Sequence, residues 1–160
     1  MVESNIRRGT IKTCKLEYIK CKFNDDQKII ERTILQRVIS GNKEFHTDEY
    51  EMLMIDGVMT PIILPQDCKF LQTFLYLKAM TLNSCTLRSL ENFPIMHSLE
   101  RLELNDNKLC SGLEIIVAHV PKLRLLKLAN NYFTEKKHFA CFSESETLEL
   151  LNIHGNPLGK

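Results

Sequence analysis

The chain of 160 residues contains no tryptophan, only six glycines and five prolines, and no long apolar run. A transmembrane helix needs about 20 predominantly apolar residues, so the sequence predicts none. Its 21 basic and 20 acidic residues leave a formal net charge of +1. A protein that binds polyanions such as nucleic acid over its whole surface would be strongly basic, so this class is excluded. The chain is 44% apolar, which is sufficient for a sizeable core in one domain.

Signals of secretion are also lacking. The first eight residues, MVESNIRR, have no apolar stretch behind their charges, and no Asn-x-Ser/Thr acceptor occurs anywhere in the chain. The six cysteines include no Cys-x-x-Cys pair. We therefore expect reduced thiols in a reducing compartment.

Catalytic and metal-binding patterns are missing as well. The five histidines form no His-Glu-x-x-His pair and do not lie beside a cysteine cluster. The end of the chain, Gly155–Lys160, is one residue too short between its glycines for a phosphate-binding loop and lacks the following Ser or Thr. We expect a protein that is not an enzyme, with no cofactor and no metal.

Leucine provides the strongest signal, since 21 of 23 leucines follow residue 50. Residues 99–109 read L-x-x-L-x-L-x-x-N-x-L, and four further copies surround Leu53, Met80, Leu126 and Leu151. With Leu102 as the equivalent position, the copies are 27, 22, 24 and 25 residues apart. This spacing is typical of leucine-rich repeats, which place a short strand in every copy.

An Asn or Cys at a fixed place in each copy is expected to be structural. The turn after each strand leaves backbone groups buried between stacked copies, and an Asn side chain can both donate to and accept from them. The predicted ladder is therefore Cys85, Asn107, Asn131 and Asn156. Cys85 should be a buried and unreactive thiol.

Each copy also needs a return segment on the convex side. Apolar residues at helical spacing predict one after residue 111, and aromatic residues predict its counterparts; these core positions are Leu113, Ile116, Val117, Val120, Phe93, Ile95, Phe139 and Phe142. The sequence thus predicts an α/β leucine-rich-repeat solenoid, curved and right-handed, with a parallel concave sheet and helical or 3-10 convex segments.

The organisation along the chain follows from this. Residues 50–160 hold the five repeats, and residues 24–49 provide an N-terminal cap helix and linker with the apolar stripe Ile30, Ile34, Leu35 and Val38. Residues 1–23 carry a charge of +4 and form a basic arm or short strands. The fifth repeat has no following segment to cover it, so we expect residues beyond 160 or pairing with another chain.

The outward strand positions form the candidate surface. Alternation along the strands predicts that a partner binds Met52, Met54, Asp56, Thr81, Asn83, Arg101, Glu103, Asn105, Leu125, Lys127, Leu150 and Asn152. One row across the sheet would be Met52, Ala79, Arg101, Leu125 and Leu150, which is more apolar than a solvated face requires. The remaining possibility is that these are scattered exposed apolar residues without a function.

Residues 102–107, LELNDN, followed by Gly112-Leu113-Glu114, resemble the repeat domain of the acidic leucine-rich nuclear phosphoproteins. The resemblance extends over about residues 28–158. It implies histone or chromatin binding, or inhibition of protein phosphatase 2A, in the nucleus and cytoplasm. The family's long acidic tail has no counterpart in residues 1–160.

A second protein with the same architecture is the spliceosomal A-prime repeat protein. It suggests the alternative of a ribonucleoprotein scaffold, in which the sheet holds an RNA-binding subunit. Direct contact with nucleic acid is expected only through the basic arm, and no membrane contact is expected.

Overall fold

A computed structural model describes residues 29–31, 33–34 and 46–159, together with the backbone of residues 12–15. Within these residues all strands form one parallel sheet whose spatial order is the chain order. The six strands are β1 (Lys12–Lys15), β2 (Tyr50–Met54), β3 (Ala79–Thr81), β4 (Arg101–Glu103), β5 (Leu125–Lys127) and β6 (Leu150–Asn152). The predicted α/β class with a parallel sheet is confirmed, and it is compatible with a leucine-rich-repeat solenoid.

The connections contain short helices. The α-helices are α1 (Pro65–Leu71) and α2 (Leu113–His119), and the 3-10 helices are η1 (Thr47–Glu49) and η2 (Lys136–Phe142). Helix α1 was not predicted from the sequence, although Pro65 at its first turn is a common start signal. None of the helices in the described part of the chain is long and apolar enough to cross a membrane.

The core lies between the sheet and these connections. The repeat positions of the first four copies are buried, and Leu53, Met80, Leu102 and Leu126 are fully inaccessible. The equivalent residues of the fifth copy, including Leu151, are only partly buried. The core side chains next to β6 are thus less completely covered than those of the other copies.

Two of the predicted core positions are wrong. Val117 is 39% exposed although Leu113, Ile116 and Val120 on the same predicted stripe are buried. Helix α2 has only seven residues, and Val117 lies on its flank, where it borders a cleft. Ile95 is 44% exposed, because residues 93–96 form no helix that could turn it inwards.

A row of left-handed residues follows the strands. Gly57, Ser84, Asp106, Asn130 and Gly155 are equivalent in the repeat, and all five have φ between 55° and 75°. Residues other than glycine rarely adopt this backbone conformation. Its recurrence at five equivalent positions shows that every copy makes the same tight turn after its strand. At Gly155 an added Cβ would also collide with the side chain of Asn130.

The described part of the predicted cap is helical and packed. Residues 29–31, 33 and 34 are helical, and Ile30 and Ile34 belong to the main core. The buried Asp67 of α1 accepts a hydrogen bond of 3.0 Å from the N–H of Glu31 through Oδ1. Leu35 and Val38 lie outside the described residues, as does most of the predicted arm, within which β1 pairs with β2.

Candidate interaction surface

The Asn and Cys ladder joins consecutive copies by hydrogen bonds. Asn107 is 4% exposed, and its Oδ1 accepts from the N–H groups of Cys85 and Leu87 at 3.0 Å each. Its Nδ2 donates to the carbonyl of Leu82 at 2.8 Å and to that of Leu104 at 3.0 Å. Asn131 and Asn156 repeat this pattern one and two copies later. These side chains hold the copies together and are not available to a ligand.

Cys85 occupies the ladder position of the second copy. Its Sγ donates to the carbonyl of Ile55 at 3.2 Å, and the side chain is fully buried. Burial raises the pKa of the thiol to about 12. The thiol therefore stays protonated and is a poor nucleophile at neutral pH.

A second ladder lies on the outer face and was missed by the sequence analysis. Asp56 Oδ1 accepts from the N–H of Asn83 at 2.8 Å, and Asn83 Oδ1 accepts from that of Asn105 at 2.8 Å. Asn105 in turn accepts from the N–H of Ala129 at 2.9 Å. Three residues proposed to contact a partner thus already use an oxygen to link neighbouring copies. The signal was present in the sequence as polar residues at one repeat position.

The strand register places the predicted row together. Met52 pairs with Ala79, Ala79 with Arg101, Arg101 with Leu125, and Leu125 with Leu150. The next outward row is Met54, Thr81, Glu103, Lys127 and Asn152. We call these two rows, with the second-ladder residues, the sheet face.

Exposure differs along the sheet face. Leu150 is 46% exposed, and Met52, Met54 and Leu125 are partly exposed. Thr81 is only 6% exposed and is therefore recessed below its neighbours. The apolar surface consequently lies at the two ends of the rows.

Alternating charges border the sheet face. Each residue of the row that begins with Met52 is directly preceded in the chain by a charged residue; these are Glu51, Lys78, Glu100, Arg124 and Glu149. Lys78 Nζ lies 3.1 Å from a carboxylate oxygen of Glu51, and Arg124 Nη2 lies 2.8 Å from one of Glu149. The hydrogen bond and the charge of Glu149 raise the pKa of the Arg124 guanidinium, which stays charged. This row was also missed, although its sign alternation follows the repeat.

Arg101 stands at the centre of the sheet face. Glu103 and Lys127, on the next outward row, form an ion pair of 2.9 Å. Arg101 is exposed and forms no ion pair within residues 46–159. It therefore offers a free guanidinium between the two apolar ends.

The metal-ligating and thiol side chains of the described residues are spread over the fold. Among them, no group of three or more His, Cys, Asp or Glu side chains could hold a metal ion. Cys68, Cys85, Cys110 and Cys141 are free thiols, and burial raises the pKa of three of them: Cys68, Cys85 and Cys141. The features that remain are an ordered sheet with an apolar and charged outer face.

No protein-family model matches the chain, but the chain is similar to several curated proteins. A Plasmodium falciparum (isolate 3D7) protein, described as acidic leucine-rich nuclear phosphoprotein 32-related, is 29% identical over 133 residues. The match covers 80% of this chain and 47% of the relative. Acidic leucine-rich nuclear phosphoprotein 32 family member A proteins of Drosophila pseudoobscura pseudoobscura and Drosophila melanogaster are each 31% identical over 80 residues. Those matches cover 50% of this chain and 30% of each relative.

The chain therefore spans less than half the length of these curated relatives. The first match nevertheless extends across four-fifths of the residues of this chain. The resemblance inferred from the repeat and its LELNDN segment is confirmed by relatives of that name, and the chain is homologous to the acidic leucine-rich nuclear phosphoprotein 32 proteins.

Proposed function

We propose that this protein is a non-enzymatic leucine-rich-repeat solenoid that binds a protein partner on its concave sheet. The observation that supports it best is the row Met52, Ala79, Arg101, Leu125 and Leu150, which the strand pairing brings side by side. Exposed apolar side chains next to a free guanidinium are typical of protein interfaces. The helical residues around Ile30 would act as the N-terminal cap of this solenoid.

The relatives suggest where such a partner is found. Their names describe nuclear proteins, which supports the proposal that this protein is nuclear. A further pool in the cytoplasm is proposed from the family resemblance alone. The family resemblance makes histones, or chromatin more generally, the first candidate partners and protein phosphatase 2A, which would be inhibited, the second. Within residues 1–160, the sheet face is the proposed surface for a histone.

The test is a calorimetric titration of the purified protein with purified core histones and, separately, with protein phosphatase 2A, which measures the dissociation constant of each complex. Leu125→Glu combined with Leu150→Glu should weaken binding more than tenfold, because two carboxylates would be buried unpaired in the interface. The matched control is Leu75→Glu, since Leu75 is 64% exposed and lies outside the sheet face. Equal losses for both variants would contradict the proposal.

The melting temperature of the double variant shows whether weaker binding results from a changed interface or from an unfolded protein. Leu150 is 46% exposed and Leu125 partly exposed, so the melting temperature of the double variant should fall by only a few degrees. A large fall would show that these residues stabilise the core. Absence of binding to both candidates by the unmodified protein would refute these two partners.

A ribonucleoprotein scaffold is the alternative, favoured by the charge of +4 on residues 1–23. Contacts to RNA phosphates release counterions, so affinity would fall steeply with salt. Deletion of the arm is a poor test because it would remove β1 and expose the edge of β2. Replacement of Arg7 and Arg8 by Gln should instead reduce the salt slope for a single-stranded RNA by about 1.4. An unchanged slope would exclude this role of the two arginines.

A further inference from the structure

A cleft of about 480 Å³ lies among the connecting segments of the third and fourth copies. Val117 and Val120 of the α2 region form one wall, and Phe142 and the segment up to Leu148 form the other. The cleft shares no residue with the sheet face. Its occupant would therefore be independent of the proposed partner on the sheet.

The inner surface of the cleft is apolar and partly uncovered. Val120 and Leu123 both line the cleft and are only 3% and 4% exposed. Val117 is 39% exposed in the middle of α2, and Phe142 and Leu148 are partly exposed beside it. An apolar side chain inserted between these walls would remove their remaining surface from water, which is favourable.

The rim of the cleft is acidic. Glu144 and Glu146 line it, and no lysine, arginine or histidine does so among the described residues. Burial and then the nearby Glu114 carboxylate raise the pKa of the Cys141 thiol, which lines the same cleft. Glu114, Glu144 and Glu146 have no ion pair within residues 46–159. Two carboxylates without an ion-pair partner thus line the apolar cleft, and a third lies near its Cys141.

We propose that this cleft is a second docking site, which binds a short basic segment of a partner protein with an apolar residue at its centre. The apolar side chain would lie against Val117, Val120 and Phe142. Lysine or arginine residues on either side would pair with the rim carboxylates. An RNA strand, an anionic lipid or an acidic peptide would be repelled by the same carboxylates.

The probe is the synthetic peptide Ser-Lys-Lys-Leu-Lys-Lys-Ser, titrated into the isotope-labelled protein and followed by amide chemical shifts. The largest shifts are expected in residues 113–123 and 141–148. A peptide with Ser in place of the central Leu should bind at least fivefold more weakly, and one with Glu in place of every Lys should not bind. Shifts concentrated on β2–β6 would overturn the proposal.

Three variants test the two halves of the site. Glu144→Gln with Glu146→Gln should weaken binding about fivefold and make it less sensitive to salt. Val117→Lys should weaken it more than tenfold, and the milder Val117→Ala about threefold if the lysine variant does not fold. The matched control is Asp48→Asn with Glu91→Gln, which removes the same charge from exposed positions outside the cleft.

Two further results would refute the proposed docking site. Equal weakening by the control pair would show that only overall charge attracts the peptide, and this would overturn the site. Residues 1–23 of a second copy contain basic residues next to apolar ones. If the cleft resonances move when the protein is concentrated without peptide, the occupant is a second copy, and the proposal of a separate partner is refuted.

Discussion

Replacement of Asn107 by alanine should be among the most destabilising single changes in the repeats. Its side chain is the only partner that the structure gives to the N–H groups of Cys85 and Leu87 and to the carbonyl of Leu82. The carbonyl of Leu104 retains the hydrogen bond from Asn131. The substitution therefore leaves three buried backbone groups unsatisfied.

The magnitude follows from this count. A buried polar group without a partner costs roughly 1–3 kcal/mol, so three of them cost about 3–9 kcal/mol before relaxation. Because neighbouring copies can move and admit water, we expect Asn107→Ala to lower the free energy of unfolding by about 3–5 kcal/mol. Domains of this size are stable by about 5–15 kcal/mol, so the variant would lose between about a fifth and all of that stability.

Guanidinium chloride unfolding followed by circular dichroism measures this difference. Asn156→Ala is the informative comparison, because Asn156 makes the same type of hydrogen bonds in the partly exposed fifth copy. Water can replace its side chain there, so the loss should be about 1–2 kcal/mol. The control is Lys108→Ala, an exposed neighbour of Asn107 whose change should stay within about 0.5 kcal/mol. Equal losses for the two asparagine variants would refute the reasoning.

Three further changes test the turns and the buried carboxyl group. Thr86 is β-branched and has φ of 62°, so Thr86→Asn should raise the free energy of unfolding by about 0.5–1 kcal/mol, and a decrease in the same denaturant titration would contradict this. Gly155→Ala should lower the melting temperature more than Gly159→Ala, because both have positive φ but only at Gly155 would a Cβ meet the Asn130 side chain. Burial raises the pKa of Asp67, so its stabilisation is fully present below its ordinary value of 3.8 and is lost as pH rises through the raised value. The stability of the wild type relative to Asp67→Asn should therefore fall as the pH rises above 3.8, and a pH-independent difference would show that the pKa is not shifted.

The repeat and the register of its strands could be predicted from the order of the amino acids alone. The alternation of inward and outward residues depends only on strand geometry, so Leu102 and its equivalents could be assigned to the core and Arg101 to the outer face. The ladder asparagines could be assigned because a buried turn requires a side chain that both donates and accepts. These features repeat every 22 to 27 residues, and repetition makes each of them visible several times.

The packing of the segments that connect the strands could not be predicted without the three-dimensional structure. The connections differ in length and conformation, so the burial of Phe93, the exposure of Val117 and the cleft beside it depend on how unlike segments pack. The pairing of Asp67 with the backbone of Glu31 joins residues 36 positions apart that no periodicity relates. The strands could be predicted because the spacing of their residues is the same within every copy. The packing on the convex side could not, because it depends on contacts between connecting segments whose sequences follow no common pattern.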